Sequence, residues 1–106
     1  MTKQNNKVSF FINHKTLPGK RDEVKQIWEQ YMQPEIAQNK AHEAYFYCFD
    51  NNDPDTLCVY QQYSDYESSQ AFLETTNYAR YHKEVSSLLA GEPEILVATP
   101  MWIKNT

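Results

Sequence analysis

The sequence predicts an α+β fold, and three observations point to it. Stretches such as Val8-Ser9-Phe10-Phe11-Ile12-Asn13 alternate with the two-residue period of a half-buried strand. Others, such as Val24, Ile27, Trp28 and Tyr31, recur at spacings of three and four, the period of a helix with one buried face. In chain order the pieces run strand, helix, strand, strand, helix, strand. That β-α-β-β-α-β order is the ferredoxin-like split unit, a four-stranded antiparallel sheet with helices on one side.

A chain of 106 residues suffices for one domain, burying ~65% of its unfolded surface. Residues 1–7 are polar and are expected to fray, which leaves 8–106 as the domain. No apolar run approaches the ~18 residues that span a bilayer, and no signal-peptide core follows Met1, so a cytoplasmic protein without a membrane partner is expected. A net charge of −4 argues against nucleic acid. The densest basic group, Lys15, Lys20, Arg21 and Lys25, is interspersed with acids and reads as a solvated surface.

In the first strand Val8, Phe10 and Ile12 point one way and Ser9, Phe11 and Asn13 the other. Pro18-Gly19 ends the connection, and the helix from Lys20 buries Val24, Ile27, Trp28 and Tyr31. Pro34 lacks an amide hydrogen, so a kink or restart is expected around Gln33 to Glu35, with Ile36 still inward. Glu43 to Phe49 and Leu57 to Tyr63 suit strands, and Asp50-Asn51-Asn52-Asp53-Pro54-Asp55 is a turn. A hairpin centred on Asp53 places Tyr45, Tyr47 and Phe49 on one face with Leu57, Val59, Gln61 and Tyr63. Phe46, Cys48, Cys58 and Tyr60 take the other. The spacing Ser64-Asp65-Tyr66-Glu67 predicts a capping box with Ser64 as cap. After a break at Thr75-Thr76-Asn77, a stripe of Tyr78, Tyr81, His82, Val85, Leu88 and Leu89 marks a further helix, ended by Gly91 and Pro93. Glu94 to Trp102 is the last strand, with Pro100 at an edge or strand end.

Such a sheet leaves one face without helices. That face is expected to carry Phe11, Tyr45, Tyr47, Phe49, Leu57 and Val59, more apolar surface than a small monomer leaves in water, so a homodimer is expected. Cys48 and Cys58 sit opposite each other in this register. They read either as thiols filling space or as a redox pair, and a reducing compartment favours the former.

Four segments, Lys15-Thr16-Leu17-Pro18-Gly19-Lys20-Arg21-Asp22, Tyr60-Gln61-Gln62-Tyr63-Ser64-Asp65, Ala71-Phe72-Leu73-Glu74-Thr75-Thr76-Asn77-Tyr78 and Leu89-Ala90-Gly91-Glu92-Pro93, stand out in order and spacing. Together they resemble the antibiotic biosynthesis monooxygenase family, small dimeric α+β barrel proteins that include quinol monooxygenases. The resemblance implies oxidation of a quinol or hydroxylated aromatic by dioxygen with no bound cofactor. In such chemistry an electron-rich substrate anion itself reduces oxygen, and the protein supplies deprotonation, orientation and a dry pocket. The chain departs from the family where relatives carry the pattern A-H-L-x-T-x-H-Y, having Phe72 and Asn77, and where a Glu follows the strand tyrosine, having Gln61. Heme-degrading monooxygenases share the fold, and Asn13, Tyr63 and His82 lie near the positions they use. A heme-binding protein is therefore the alternative, with a non-catalytic small-ligand-binding dimer beside it.

His82 is the candidate base, histidine being the residue type suited to proton transfer near neutral pH, against the bland reading of a histidine at the rim of the core. Substrate-binding candidates are Asn13, Tyr45, Tyr47, Gln61, Tyr63 and Phe72. The tyrosines suit stacking on a flat substrate or packing at a dimer interface. Asn13 and Gln61 are amides expected on the same, barrel-facing side, needing either each other or a ligand oxygen. His14 and His42 flank strands and are expected to be exposed. Trp28 reads as core, and Trp102 as a seal for the barrel end or a contact with a partner.

Overall fold

The computed structural model describes residues 6–104 of the chain. The elements are β1 (Val8–Lys15), α1 (Arg21–Tyr31), α2 (Gln33–Gln38), β2 (His42–Phe49), β3 (Thr56–Tyr63), α3 (Tyr66–Phe72), α4 (Thr76–Val85) and β4 (Glu94–Ala98). The sheet is antiparallel throughout, in the order β2-β3-β1-β4, as the ferredoxin-like reading expects. The expected fraying over 1–7 lies mostly outside the described residues. Lys7, which is described, reaches Glu43 with its ammonium at 2.6 Å.

Pro34 acts as expected. It sits in the first turn of α2, where its missing N–H belongs to no helical bond, and α2 restarts the helix at Gln33. The cap of α3 differs from expectation: Asp65, not Ser64, is the N-cap, its carboxylate accepting from the Ser68 N–H at 2.7 Å. Asp offers the same acceptor one residue later, and a charge as well, beside the positive end of the helix. Thr75 caps α4, accepting from the Tyr78 N–H at 3.2 Å. A 3-10 turn at Ser86–Leu88 carries α4 back to β1, where Leu17 N–H donates to Leu88 O and Ala90 N–H to Lys15 O, each at 2.8 Å. Gly91 follows with φ +104°, a conformation that favours glycine.

The β2–β3 register is the expected one, Cys48 opposite Cys58 and Tyr47 opposite Val59. Arg21, read from sequence as part of a solvated basic group, instead holds this hairpin. Its guanidinium donates to the carbonyls of Asp50, Asp53 and Thr56 at 2.9–3.0 Å and lies 3.9 Å from the Phe49 ring centre.

Rows of side chains run across all four strands. Tyr47, Val59, Ile12 and Ile95 form one row facing the helices, and Tyr45, Gln61, Phe10 and Val97 form the next. Val24 of α1 and Val85 of α4 are fully buried against Leu57 and Val59. A second cluster joins Val8, Met32, Tyr63 and Phe72, with Ile36 and Trp28 packed on it.

The uncovered face therefore needs correction. Tyr45, Tyr47, Phe49, Leu57 and Val59 all lie under the helices, and of the residues expected on the open face only Phe11 is there. Its row is Phe46, Tyr60, Phe11 and Leu96, with Tyr60 4.9 Å from Phe11 and 5.9 Å from Phe46 between ring centres. The pleat dictates this, because Phe11 cannot share a face with residues paired to Phe10 and Ile12. β4 is also shorter than expected, ending at Ala98 before Pro100, and Met101 and Trp102 are exposed rather than sealing anything within the chain.

The caps make separable predictions. Thr75→Ala should lower stability by about 1 kcal/mol. Asp65→Ala should lower the midpoint of urea unfolding clearly, whereas Ser64→Ala should barely move it, the reverse of what a Ser64 cap requires.

Candidate functional site

Aromatic side chains hold the helical layer away from the sheet. Trp28 of α1 stacks on Tyr47 with ring centres 4.3 Å apart and donates from Nε1 to Tyr45 Oη at 3.3 Å. On the far side Phe72 of α3 and Tyr78 of α4 pack at 6.1 Å. Between these layers lies a cavity of about 340 Å³, within the ~300–1,000 Å³ range of small-molecule sites.

Of the sequence-predicted residues, Tyr45, Tyr47, Gln61, Tyr63, Phe72 and His82 border this cavity. Trp28, read as core alone, borders it too. Asn13 does not. It pairs with Cys58 and Glu94 on the opposite face of the sheet, because the alternation that turns Ile12 inward turns Asn13 out. Asn13 and Gln61 are thus on different sides, and the trio Asn13, Tyr63 and His82 does not converge. Those residues do not fit a heme. Asn77 donates to Glu35 at 3.0 Å and links α4 to α2.

The polar groups of the cavity fall into two kinds. Tyr63 Oη donates to Gln61 Oε1 at 2.6 Å, so these two largely satisfy each other. Tyr47 Oη is different: it is buried and has no hydrogen-bond partner. A buried hydroxyl left alone costs about 1–3 kcal/mol, which a ligand oxygen would recover. Burial pushes the Tyr45 phenol up to about 12, despite the opposing hydrogen bond from Trp28. Burial also drives Tyr47, Tyr63 and Tyr81 well above the usual phenol range. The walls are therefore neutral donors at any physiological pH. His82 is exposed at the mouth, 6.2 Å from the Tyr78 ring. His14, expected to be exposed, is half-buried and borders the cavity, with Nε2 at 3.0 Å from Gly91 O.

His42 also escaped the sequence reading. Strict alternation from Ala44 would turn it to the open face, but Ala44 stands opposite Gln62 while His42 stands opposite Tyr63, a bulge at Glu43. The extra residue inverts the alternation and turns the imidazole inward. Its ring packs 4.4 Å from Tyr63, 4.6 Å from Phe72 and 5.3 Å from Tyr45. Both nitrogens are buried without a partner, and burial lowers its pKa to about 4. Sequence gives no sign of it: the expected strands Glu43 to Phe49 and Leu57 to Tyr63 match in length, and the extra residue shows only once His42 pairs with Tyr63.

Among the described residues no three His, Cys, Asp or Glu side chains group as metal ligands would, and no helix is long and apolar enough to cross a membrane.

A sequence model of the antibiotic biosynthesis monooxygenase family matches residues 10–84. No curated protein matches the chain in sequence. Solved structures share the fold at low identity. A protein from Nitrosomonas europaea, provisionally named an antibiotic biosynthesis monooxygenase, is 13% identical with a TM-score of 0.85, the match covering 96% of this chain and 97% of that one. One from Caulobacter crescentus CB15 with the same provisional name is also 13% identical, with a TM-score of 0.85 and 92% of each chain covered. A third, from Chloroflexus aurantiacus J-10-fl, is 18% identical with a TM-score of 0.80, over 93% and 97%.

Because His42 stays neutral when folded, its contribution to stability is fully present above the unfolded pKa near ~6.5 and is lost as pH falls toward 4. Its ring resonances should titrate near pH 4 by NMR. The melting temperature should fall between pH 7 and pH 4 by less in His42→Phe than in the parent.

Proposed function

We propose that this chain, which belongs to the antibiotic biosynthesis monooxygenase family, oxidises a neutral quinol or hydroxylated aromatic with dioxygen, needs no bound cofactor, and works as a homodimer. The observation that carries the reading is Tyr47 Oη, a buried donor without a partner in an aromatic cavity. A flat substrate stacked among Trp28, Tyr45 and Phe72 would place an oxygen against it. The redox balance is simple: a hydroquinone and dioxygen give a hydroxyquinone and water, one oxygen atom entering the ring and the other leaving as water.

Each residue then has a stated task. His82, at the mouth, takes the proton from the substrate hydroxyl, since the buried phenols stay protonated and Glu92, the carboxylate that borders the cavity, is exposed at its edge. Tyr47 donates to the resulting oxyanion, and a low-dielectric wall strengthens that bond. The Tyr63–Gln61 pair fixes the shape of the wall beside it. Dioxygen needs no polar site and enters an apolar cavity readily.

The homodimer reading rests on the open sheet face. The row Phe46, Tyr60, Phe11 and Leu96 is apolar and continuous, with Phe46 58% and Leu96 63% exposed. The edge strand β4 exposes Ile95 and Val97 as well. A non-catalytic ligand-binding dimer is the second reading, favoured by the Tyr63–Gln61 pair, which leaves fewer polar groups for chemistry.

Oxygen uptake across a panel of quinols should reveal at least one substrate. His82→Ala should lower kcat about 100-fold, and Tyr47→Phe should lower kcat/KM up to about 10-fold. A ligand that raises the melting temperature without oxygen uptake would favour the second reading instead. In sedimentation the parent should run as a dimer and Phe46→Glu as a monomer; a monomeric parent at micromolar concentration would sink the dimer.

A further inference from the structure

On the open face of the sheet, Cys48 of β2 stands directly opposite Cys58 of β3, and both are free thiols. The phase of the ladder is fixed two pairs further on, past Phe49 and Leu57, where the Asp50 N–H donates to the Thr56 carbonyl at 3.1 Å. Alternation makes Cys48 and Cys58 a hydrogen-bonded pair as well, with Cα atoms about 5.5 Å apart. Disulfides span Cα separations of ~4.4–6.8 Å. Side chains directly opposite on one face of a sheet project the same way, so nothing stands between the sulfurs. Cys48 is exposed and Cys58 half-buried. Their row continues with Asn13 and Glu94, beside the apolar row of Phe46, Tyr60, Phe11 and Leu96 rather than within it.

We propose that Cys48 and Cys58 form a reversible dithiol–disulfide couple, oxidised by hydroperoxides, on the back of the cavity wall. In the first step the Cys48 sulfur attacks a peroxide oxygen; the O–O bond breaks, Cys48 becomes a sulfenic acid and one water (or alcohol) leaves. In the second, Cys58 attacks that sulfur, the S–S bond forms, and the sulfenic oxygen leaves as water. Two thiols lose two electrons and two protons, and the peroxide is reduced. The order follows from access, since Cys48 meets solvent first. Burial also pushes the Cys58 thiol up, which suits it to wait as the resolving group.

A cross-strand bond on a twisted ladder departs from relaxed disulfide geometry, so it is readily reduced, the property of a regulatory rather than a structural bridge. Its effect reaches the cavity through the pleat. Tyr47 adjoins Cys48 and Leu57 and Val59 adjoin Cys58 in sequence, and all three border the cavity on the other side of the sheet. Oxidation ties the two strands at this point and so restrains the wall that holds Tyr47.

The test needs no substrate. Full-length protein is treated with hydrogen peroxide, alkylated and weighed. The parent should lose two hydrogen atoms in mass and both alkylatable thiols, and regain them with dithiothreitol; cleavage between residues 48 and 58 should give two peptides joined until reduced. Cys58→Ser should stop at a sulfenic acid on position 48, trapped by dimedone, and Cys48→Ser should react far more slowly. Stepwise oxidation of Cys48 to the sulfinic acid with Cys58 intact, a bridge between two chains, or thiols that survive peroxide would each overturn the proposal, whatever the cavity does with quinols.

Discussion

The stack of Trp28 on Tyr47, with ring centres 4.3 Å apart, sets the distance between helix α1 and the sheet. At the other end of the same helix Val24 sits fully buried against Leu57, Val59 and Val85. There small branched side chains close the gap. Toward Trp28 the spacers are flat rings, which resist compression along their planes and do not interdigitate as aliphatic chains do. The helix is therefore pinned at one end and propped at the other, and the space under the prop is the cavity. Truncating a prop would not simply enlarge that space, because an unsupported helix settles toward the sheet.

The same aromatic lining fixes what chemistry the cavity permits. Each tyrosine gives up hydration on burial, and burial is the leading reason that Tyr45, Tyr47, Tyr63 and Tyr81 hold their protons. His42 obeys the same rule with opposite sign, burial holding its imidazole neutral. A neutral interior admits an uncharged ring, and it favours an anion only where a donor awaits it. Tyr47 is the buried hydroxyl with that capacity to spare. In the proposed reaction proton removal would fall to the wet edge, where His82 stands, and charge stabilisation to the depth. Solvation alone would then separate the two tasks along the cavity.

Most of the fold was legible because it depends on period and punctuation. Alternation located the strands, a turn centred on Asp53 fixed the hairpin register, and Pro34 announced the helical restart. The errors share a physical source, a shift by one residue. Ser64 and Asp65 are both competent caps, and only the path of the chain selects between them. Asn13 is expected on the cavity side, and Phe11 is grouped on the open face with Tyr45, Tyr47, Phe49, Leu57 and Val59, although alternation with Phe10 and Ile12 turns Asn13 out and separates Phe11 from the other five. At His42 the bulge broke the period itself, and no local pattern reveals a bulge that only pairing with Tyr63 defines. For the site, residue types were readable but their partnerships were not. The bond from Tyr63 to Gln61, and the absence of one at Tyr47, depend on side-chain directions that two-residue periodicity leaves open.

The strand β4 ties the two faces of the sheet together. Helices α1 and α4 pack on the strands beside β4, and Ile95 and Val97, which project toward the helical side, are each 54% exposed, although Ile95 borders the cavity. On the reverse side Leu96 ends the apolar row that the proposed dimer would cover. An edge strand with apolar groups on both faces, and with no partner on its outer edge among the described residues, is a costly surface to keep in water. Covering it from the open face alone would hide Leu96 and leave Ile95 and Val97 in water. A contact that wraps the edge would bury all three and complete the flank of the cavity at the same time. Assembly and closure of the site are then one event, because the residues that leave the cavity wall unfinished are also those that make the monomer surface apolar.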